Sequence, residues 1–249
     1  MGIPCYLAMT AAELAENSKL PGNTAWMACQ FSSWNDGLSN IPPSLPEGSV
    51  LMLSDETPIR GHHPQRILQE LWECMQRFSC RCLVLDFQRP KNPEAKALIS
   101  TLMDLPCPLI VSLPYARDGC GVLLPPAPLS TPLTDYLSPW KGREVWLELA
   151  ADGEIITLTE QGASTIPLPY PDLLETGFRE ESLHCHYRAQ LADERAEFTL
   201  WRTEEDLEAL MEEAEGLGVT AAVGLYQELR NWSCRAGCPQ PAVNHSTIP

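Results

Sequence analysis

The chain has 249 residues, 44% of them hydrophobic and 20% charged, and this globular composition excludes global disorder. Its net charge of −16 at pH 7 repels phosphate backbones and anionic lipid, so we expect neither nucleic acid nor a membrane surface as a partner. No apolar stretch approaches the ~20 residues of a transmembrane helix, and residues 1–10 lack the features of a secretory signal. Cys29, Cys82 and Cys107 lie in apolar runs, as free thiols do, which favours a cytoplasmic protein without disulfides.

Short apolar runs, separated by prolines and polar segments, follow one another along the chain. Runs that are apolar on both faces and alternate with helices are typical of a parallel sheet covered on both sides. Because about 250 residues is the usual size of an eight-stranded α/β barrel, we predict one α/β domain over 1–249. It is a (β/α)8 TIM-type barrel, regular or irregular, with added β-hairpins and an irregular tail from about residue 230. The predicted strands are Pro4–Ala8, Ala25–Phe31, Val50–Ser54, Cys82–Phe87, Leu109–Leu113, Val122–Leu124, Val145–Leu149 and Ala221–Tyr226.

Three helices have clear start signals. Pro64 suits a first turn, Asn92 is a good N-cap, and Thr203 with Asp206 forms a capping-box pattern. The third helix is expected to bury Leu207, Leu210, Met211 and Leu217.

Two segments predict β-hairpins added to the barrel. Asp152-Gly153 lies between two β-rich runs and predicts a turn there. A second antiparallel pair is predicted over 184–191 and 197–201, with its turn at Asp193-Glu194.

The functional side chains of α/β barrels lie at the C-terminal ends of the strands. Aromatic rings stack on sugar faces, and amides and carboxylates satisfy hydroxyl groups, so such residues at strand ends favour a carbohydrate site. Equally, Asp86 would serve as a loop cap, Gln88 as a backbone partner, and Tyr226 as a core residue at the rim. The candidates at the predicted strand ends are Tyr6, Gln30, Asp55, Asp86, Gln88, Tyr115, Glu148, Tyr226 and Glu228.

Other functional classes lack their motifs. His184 and His186 share a strand face without a third ligand at a suitable spacing, and Cys234 with Cys238 is a lone pair, so we expect no metal. The sequence contains no glycine-rich phosphate loop, no G-x-S-x-G elbow and no HExxH pattern, and we expect no cofactor.

The run Leu83–Gln88 resembles the fourth-strand signature DGxDxDxE of family 18 glycoside hydrolases, the chitinase-like family. Asp86 matches the last Asp, Gln88 falls on the Glu, and Val84 and Arg81 fall on the other two Asp positions. In the family the Glu protonates the leaving oxygen, and the neighbouring Asp positions the substrate N-acetyl group that acts as nucleophile. A glutamine has no proton to give, so the resemblance implies a lost catalytic acid.

A second similarity to this family, especially to its spore-associated members, covers 186–229. There a hairpin and a helix precede a last strand of the form GIGIW. Residues 222–226 fit that strand, with Tyr226 in place of the Trp that floors the sugar subsite. Arg202 and Thr203 fall near the family's acidic pair, which is therefore also lost.

Three functions remain open from the sequence. The first is a catalytically impaired protein that binds an N-acetylglucosamine-type glycan or a peptidoglycan fragment at the barrel mouth. The second is an active glycosidase that uses another acid, with Glu148, Glu228 and Asp55 as candidates. The third is a structural or interaction protein with a protein partner and no small ligand, which a large exposed apolar patch would favour.

Overall fold

The computed structural model describes residues 2–17, 20–59, 61–89, 92–168 and 177–230. Within these ranges eight parallel strands close into a barrel, because the first strand pairs with both the second and the last. Each of them overlaps one predicted strand, so the predicted (β/α)8 fold is confirmed. Around the barrel they are β1 (Cys5–Met9), β2 (Thr24–Phe31), β4 (Val50–Ser54), β5 (Cys82–Asp86), β6 (Leu109–Ser112), β7 (Gly121–Leu124), β8 (Val145–Leu149) and β14 (Val219–Leu225).

The covering helices are uneven in length. No α-helix lies between β2 and β4, where residues 32–49 carry only the short antiparallel strand β3 (Leu38–Ser39), nor in residues 113–120 between β6 and β7. The barrel is therefore irregular on those sides. The helices are α1 (Ala11–Glu16), α2 (Pro64–Phe78), α3 (Pro93–Leu102), α4 (Leu133–Leu137), α5 (Glu204–Gly216) and α6 (Tyr226–Leu229).

The three predicted helix starts are confirmed. Helix α2 begins at Pro64, and the side chain of Asn92 caps α3 by accepting the N–H of Glu94 at 2.9 Å. Thr203 and Asp206 form the capping box of α5. The expectation for Leu217 was wrong: the helix ends at Gly216, and the side chain of Leu217, which follows as the C-cap residue, is exposed.

A second sheet is inserted between β8 and α5, and its five described strands are antiparallel in the order β10-β9-β13-β12-β11. The hairpin of β12 and β13 turns at Asp193-Glu194 as predicted, since Ala192 pairs with Arg195. The strands are β9 (Gly153–Thr159), β10 (Gly162–Leu168), β11 (Phe178–Glu180), β12 (Cys185–Ala192) and β13 (Arg195–Trp201).

The turn predicted at Asp152-Gly153 is wrong. Strand β8 belongs to the barrel, and Gly153 begins β9 in the second sheet, whose hairpin partner β10 follows a turn at residues 160–161. Gly153 is needed for close packing rather than for a turn, because a Cβ there would lie 2.8 Å from the carbonyl oxygen of Leu200.

The barrel interior is filled by inward side chains from every barrel strand. Tyr6 and Trp146 stack there with ring centroids 5.3 Å apart and nearly parallel planes. The Tyr6 hydroxyl accepts a hydrogen bond from the Arg81 guanidinium at 3.2 Å, and Arg81 precedes β5, so this hydroxyl points toward the N-terminal end of the barrel.

Cys29, Cys82 and Cys107 are free thiols. The described part of the chain contains no helix of the length and apolarity that crossing a membrane requires. The predicted irregular tail, with Cys234 and Cys238, lies outside the described residues from position 231 onward.

Asp206 joins the second sheet to α5, and its removal tests that junction. This fully buried carboxylate contacts His186 Nδ1 at 2.7 Å and Arg179 Nε at 3.2 Å, besides capping α5. We expect Asp206→Ala to lower the free energy of unfolding by about 2 kcal/mol or more, because His186 and Arg179 lose a buried hydrogen-bond acceptor and the helix loses one half of its capping box. Urea titration measures the loss; the exposed Glu208→Ala should change stability by no more than about 0.5 kcal/mol. Equal effects of the two substitutions would contradict the assigned role.

Candidate functional site

A cavity of about 240 Å³ opens at the C-terminal ends of the barrel strands. Four predicted site residues line it together: Asp86, Gln88, Glu148 and Glu228. The remaining walls are mostly apolar and include Ala8, Met27, Met52, Val223 and Leu225.

Strand alternation explains why these side chains meet. Val84 and Trp146 point into the barrel, so Asp86 and Glu148, two residues further along their strands, also point inward and lie nearer the mouth. Ala8 is the next inward position after Tyr6 on β1, and its small side chain leaves the space that the cavity occupies.

Asp86 and Gln88 form a hydrogen-bonded pair, in which the Gln88 amide nitrogen donates to the Asp86 carboxylate. Burial raises the pKa of Asp86, the charge of Asp55 raises it further, and the Gln88 hydrogen bond opposes both effects. The amide therefore stabilises the ionised form of Asp86 inside the cavity.

Asp55 holds the backbone of the loop after β5. Its buried carboxylate accepts the backbone N–H groups of Gln88 at 2.9 Å and Arg89 at 3.1 Å. From the other side, the Tyr115 hydroxyl donates to the carbonyl of Arg89 and accepts the N–H of Asn92 at 3.3 Å. Asp55 and Tyr115 were predicted to contact a ligand; neither is among the residues that line the cavity, and both hold the loop that carries Gln88.

Glu148 lies across the same cavity on β8. Burial raises the pKa of its carboxyl group to about 7, and the negative charge of Asp86 contributes to the shift. At neutral pH a substantial fraction of Glu148 is protonated, so this residue can donate a hydrogen bond or a proton as well as accept one.

Glu228 reaches the cavity from α6 rather than from the end of the last strand, which stops at Leu225. Burial raises the pKa of its carboxyl group, and the backbone N–H of Ala151 opposes the shift by donating to it. Its Oε2 atom is buried without a hydrogen-bond partner among the described residues.

The structure does not bring Tyr6, Gln30 or Tyr226 into the cavity lining. Tyr6 lies one inward position below it, because β1 continues to Met9. The Gln30 side chain accepts a hydrogen bond from Thr57 at 3.2 Å. Tyr226 begins α6 and donates its hydroxyl to Asn17 at 2.9 Å.

Sequence reasoning missed Met27, Met52 and Pro126, which also line the cavity. Counting alternate residues inward along β2 and β4 would have found the two methionines. None of the described residues that line the cavity is aromatic. The site therefore combines carboxylate and amide groups with flexible apolar walls, which suits a ligand bearing several O–H or N–H donors.

His184 and His186 each contact a carboxylate. His184, in the turn before β12, pairs with Glu213, and His186 on β12 pairs with Asp206. Over the described ranges, no group of three or more His, Cys, Asp or Glu side chains is arranged to hold a metal ion.

Comparison with solved structures identifies the fold. The spore cortex-lytic enzyme SleL of Bacillus cereus matches with a TM-score of 0.58 at 9% identity, over 93% of this chain and 74% of the enzyme chain. A GH18 chitinase from Cycas revoluta in complex with (GlcNAc)3 matches with a TM-score of 0.58 at 10% identity, over 89% of this chain and 94% of the chitinase. This chain has the family 18 glycoside hydrolase fold.

A third match is the chitinase-like agglutinin RobpsCRA from Robinia pseudoacacia, with a TM-score of 0.59 at 12% identity over 89% of this chain and 94% of the agglutinin. No protein-family model matches the chain, and no curated protein matches it significantly. The likeness is thus one of fold at very low sequence identity, and the chemistry has to be argued from the cavity itself.

The raised pKa of Glu148 predicts a specific pH dependence of stability. Because the folded-state pKa of about 7 lies above the ordinary value of 4.5, protonation favours the folded state. This contribution is complete below about pH 4.5 and is lost as the pH rises through 7. We expect Glu148→Gln to raise the melting temperature at pH 8 by at least about 2 °C, and to change it little at pH 4.5.

Thermal unfolding between pH 4.5 and 8 measures this difference, with the exposed Glu144→Gln as the control for removing one negative charge. If the melting temperatures of wild type and Glu148→Gln differed by the same amount at every pH in that range, the carboxyl group would not be buried as described.

Proposed function

We propose that this chain binds a glycan of the N-acetylglucosamine type, either free or as a fragment of peptidoglycan, in the mouth of its barrel and does not hydrolyse it. The observation that carries the proposal is the Asp86–Gln88 pair in the cavity. The family pattern has its proton donor at the position of Gln88, and an amide cannot act as a general acid.

The cavity chemistry supports a sugar that is rich in hydrogen-bond donors. Asp86, Glu148 and Glu228 offer carboxylate oxygens to hydroxyl and amide N–H groups, while Met27 and Met52 offer apolar contact to ring carbons or to a methyl group. The negative charge of the carboxylates disfavours an anionic ligand. Within a peptidoglycan fragment the uncharged N-acetylglucosamine residue is therefore the preferred occupant.

The structural neighbours support the same ligand class. One of them is a GH18 chitinase in complex with (GlcNAc)3, and another is a chitinase-like protein described as an agglutinin. The fold is thus found both in enzymes and in a protein described as an agglutinin. Since fold does not determine function, the weight of the proposal rests on Gln88 and the cavity.

A second candidate is an active glycosidase with Glu148 as the general acid. The observation in its favour is the pKa of about 7, which is suited to a group that must be protonated at neutral pH. Asp86 would remain the group that orients the substrate.

The interaction-protein hypothesis is favoured by one face of the second sheet. Leu158, Ala196 and Leu191 lie side by side in register there, and Phe178 pairs with Tyr187 on the same face. Leu191 and Phe178 are well exposed, so this face presents apolar surface away from the cavity.

Melting temperatures test glycan binding, and a hydrolysis assay on Gln88→Glu tests whether a proton donor is what the site lacks. N-acetylglucosamine tetramer should raise the melting temperature of the wild type, because a ligand at about 100 times its Kd adds about 2.7 kcal/mol to stability. Asp86→Ala should weaken this effect. Gln88→Glu should release new reducing ends from the tetramer, whereas the exposed Gln227→Glu on α6 should not.

The alternatives give different results in the same assay. Hydrolysis by the wild type that disappears in Glu148→Gln would contradict lost catalysis and favour the glycosidase. The absence of any shift with N-acetylglucosamine oligomers or muramyl fragments would contradict a sugar site and favour the interaction protein.

A further inference from the structure

Two of the described thiols differ from the others in their exposure. Eight cysteines lie in the described ranges, and six of them are buried. The two that are partly exposed, Cys80 and Cys107, line the same cavity, which has a volume of about 360 Å³. A buried cysteine acts as a small hydrophobic residue, but a packing role does not explain why the partly exposed pair shares one cavity.

This cavity lies at the N-terminal end of the barrel. Cys80 comes just before β5, and Cys107 comes just before β6. The barrel mouth, with the candidate glycan site, is at the opposite end of the same strands. A ligand bound beside Cys80 and Cys107 would therefore occupy a site separate from the one described above.

A methionine adds a third sulfur to the two thiols. Met75 lines the cavity from the last turn of α2, and its Sδ atom lies 3.6 Å from Sγ of Cys107. Burial raises the pKa of Cys80 to about 11, and the charges of Cys74 and Cys107 contribute, so Cys80 and Cys107 interact electrostatically. We refer to Met75, Cys80 and Cys107 as the sulfur cluster.

The end of α2 holds Cys80 beside Met75. Ser79 ends the helix in the left-handed conformation, with φ of 50°. This turns the chain back over the last turn, where the N–H of Cys80 donates to the carbonyl of Met75 at 2.9 Å. The next residue, Arg81, donates its N–H to the carbonyl of Ser49 at 2.9 Å. The backbone of Cys80 is thus fixed on both sides.

Two prolines restrict the backbone around Cys107. Pro106 and Pro108 have fixed φ angles, and a residue that precedes proline is confined to extended conformations. The carbonyl of Pro108 also accepts the N–H of Leu83 on β5 at 3.1 Å. The segment with Cys107 is therefore tied to the strand that follows Cys80, and the sulfur cluster is preorganised.

The composition of the cavity favours a soft metal ion. Thiolate and thioether sulfurs are the ligands that Cu(I) prefers in proteins, whereas zinc sites use cysteine with histidine or carboxylates, and calcium and magnesium require oxygen ligands. The lining contains no histidine, aspartate or glutamate among the described residues. Besides the sulfur cluster it consists of Trp72, Gln76, Ser79, Arg81, Pro106 and Pro108.

We propose that the sulfur cluster binds one Cu(I) ion between the thiolates of Cys80 and Cys107 and the thioether of Met75. Each thiol releases its proton as its sulfur bonds to the metal, and no electron is transferred. One monovalent cation with two thiolates carries a single negative charge. Arg81 lines the same cavity, so the positive charge of its guanidinium offsets that of the complex.

Titration of the full chain with Cu(I), without oxygen and against a competing Cu(I) chelator, tests this site. We expect Cys80→Ser and Cys107→Ser each to raise the Kd at least about a hundredfold, because even partners outside the ligand shell are worth about 10–100-fold in metal affinity. Met75→Leu conserves side-chain volume and removes only the thioether, so we expect an increase of about tenfold.

Three control variants separate this site from the other sulfur atoms of the chain. Cys120→Ser removes a thiol that also directly precedes a barrel strand but does not line the cavity. Met103→Leu removes an exposed thioether at the end of α3. Cys234→Ser combined with Cys238→Ser removes the two thiols that lie outside the described residues. Each control variant should still bind one equivalent of Cu(I) at the cavity with the wild-type Kd.

The proposal does not depend on glycan binding, and the titration decides it alone. Equal Kd values for wild type, Cys80→Ser and Cys107→Ser would overturn it. Loss of all tight binding in the Cys234→Ser, Cys238→Ser variant would also overturn it, because the metal would then be held by the tail. Melting temperatures measured without metal show whether each variant is folded. With Cu(I), the melting temperature should rise in wild type and should not rise in Cys107→Ser.

Discussion

Two stacked aromatic rings close the barrel from below, and the candidate site depends on them. Tyr6 and Trp146 point inward from strands on either side of β14 and fill the interior. The next inward positions toward the mouth on those strands are Ala8 and Glu148, a small side chain and an acid. The alanine leaves a cavity, and the acid is buried at its wall among apolar neighbours, so its pKa rises to about 7. A bulky residue at position 8 would fill the cavity in which the glycan is proposed to bind.

Opposite Glu148, the cavity contains a pair that is fixed before any ligand arrives. Asp55 holds the backbone of Gln88, and the amide of Gln88 holds the carboxylate of Asp86. A preorganised pair of this kind lowers the cost of ordering side chains on binding. The Gln88 amide has no proton to transfer, whereas Glu148, with a pKa of about 7, can hold one at neutral pH. In the proposed function, binding and turnover differ in the position of one proton donor.

The barrel could be predicted from the sequence because its strands are buried on both faces and appear as continuous apolar runs, and helices α2, α3 and α5 begin with local start signals. The grouping of Asp86, Gln88 and Glu148 followed from the rule that barrel strand ends meet, and Glu228 joins them from α6, which directly follows the last strand. Contacts between distant segments were not predictable in this way. Nothing local in the sequence indicates that Asp55 binds the loop of Gln88, 33 positions away. Likewise, the tyrosine aligned with a family tryptophan turned its hydroxyl to Asn17, because the last strand ends one residue earlier.

The most direct test of glycan binding at the barrel mouth is an NMR titration of the protein labelled with ¹³C in its methionine methyl groups. Met27 and Met52 line the cavity, whereas Met103 is exposed at the end of α3, away from the cavity lining. We expect the N-acetylglucosamine tetramer to shift the Met27 and Met52 signals in a saturable manner, to leave the Met103 signal unchanged, and to be recovered intact. Unchanged Met27 and Met52 signals at millimolar tetramer, or shifts confined to Met103, would contradict it.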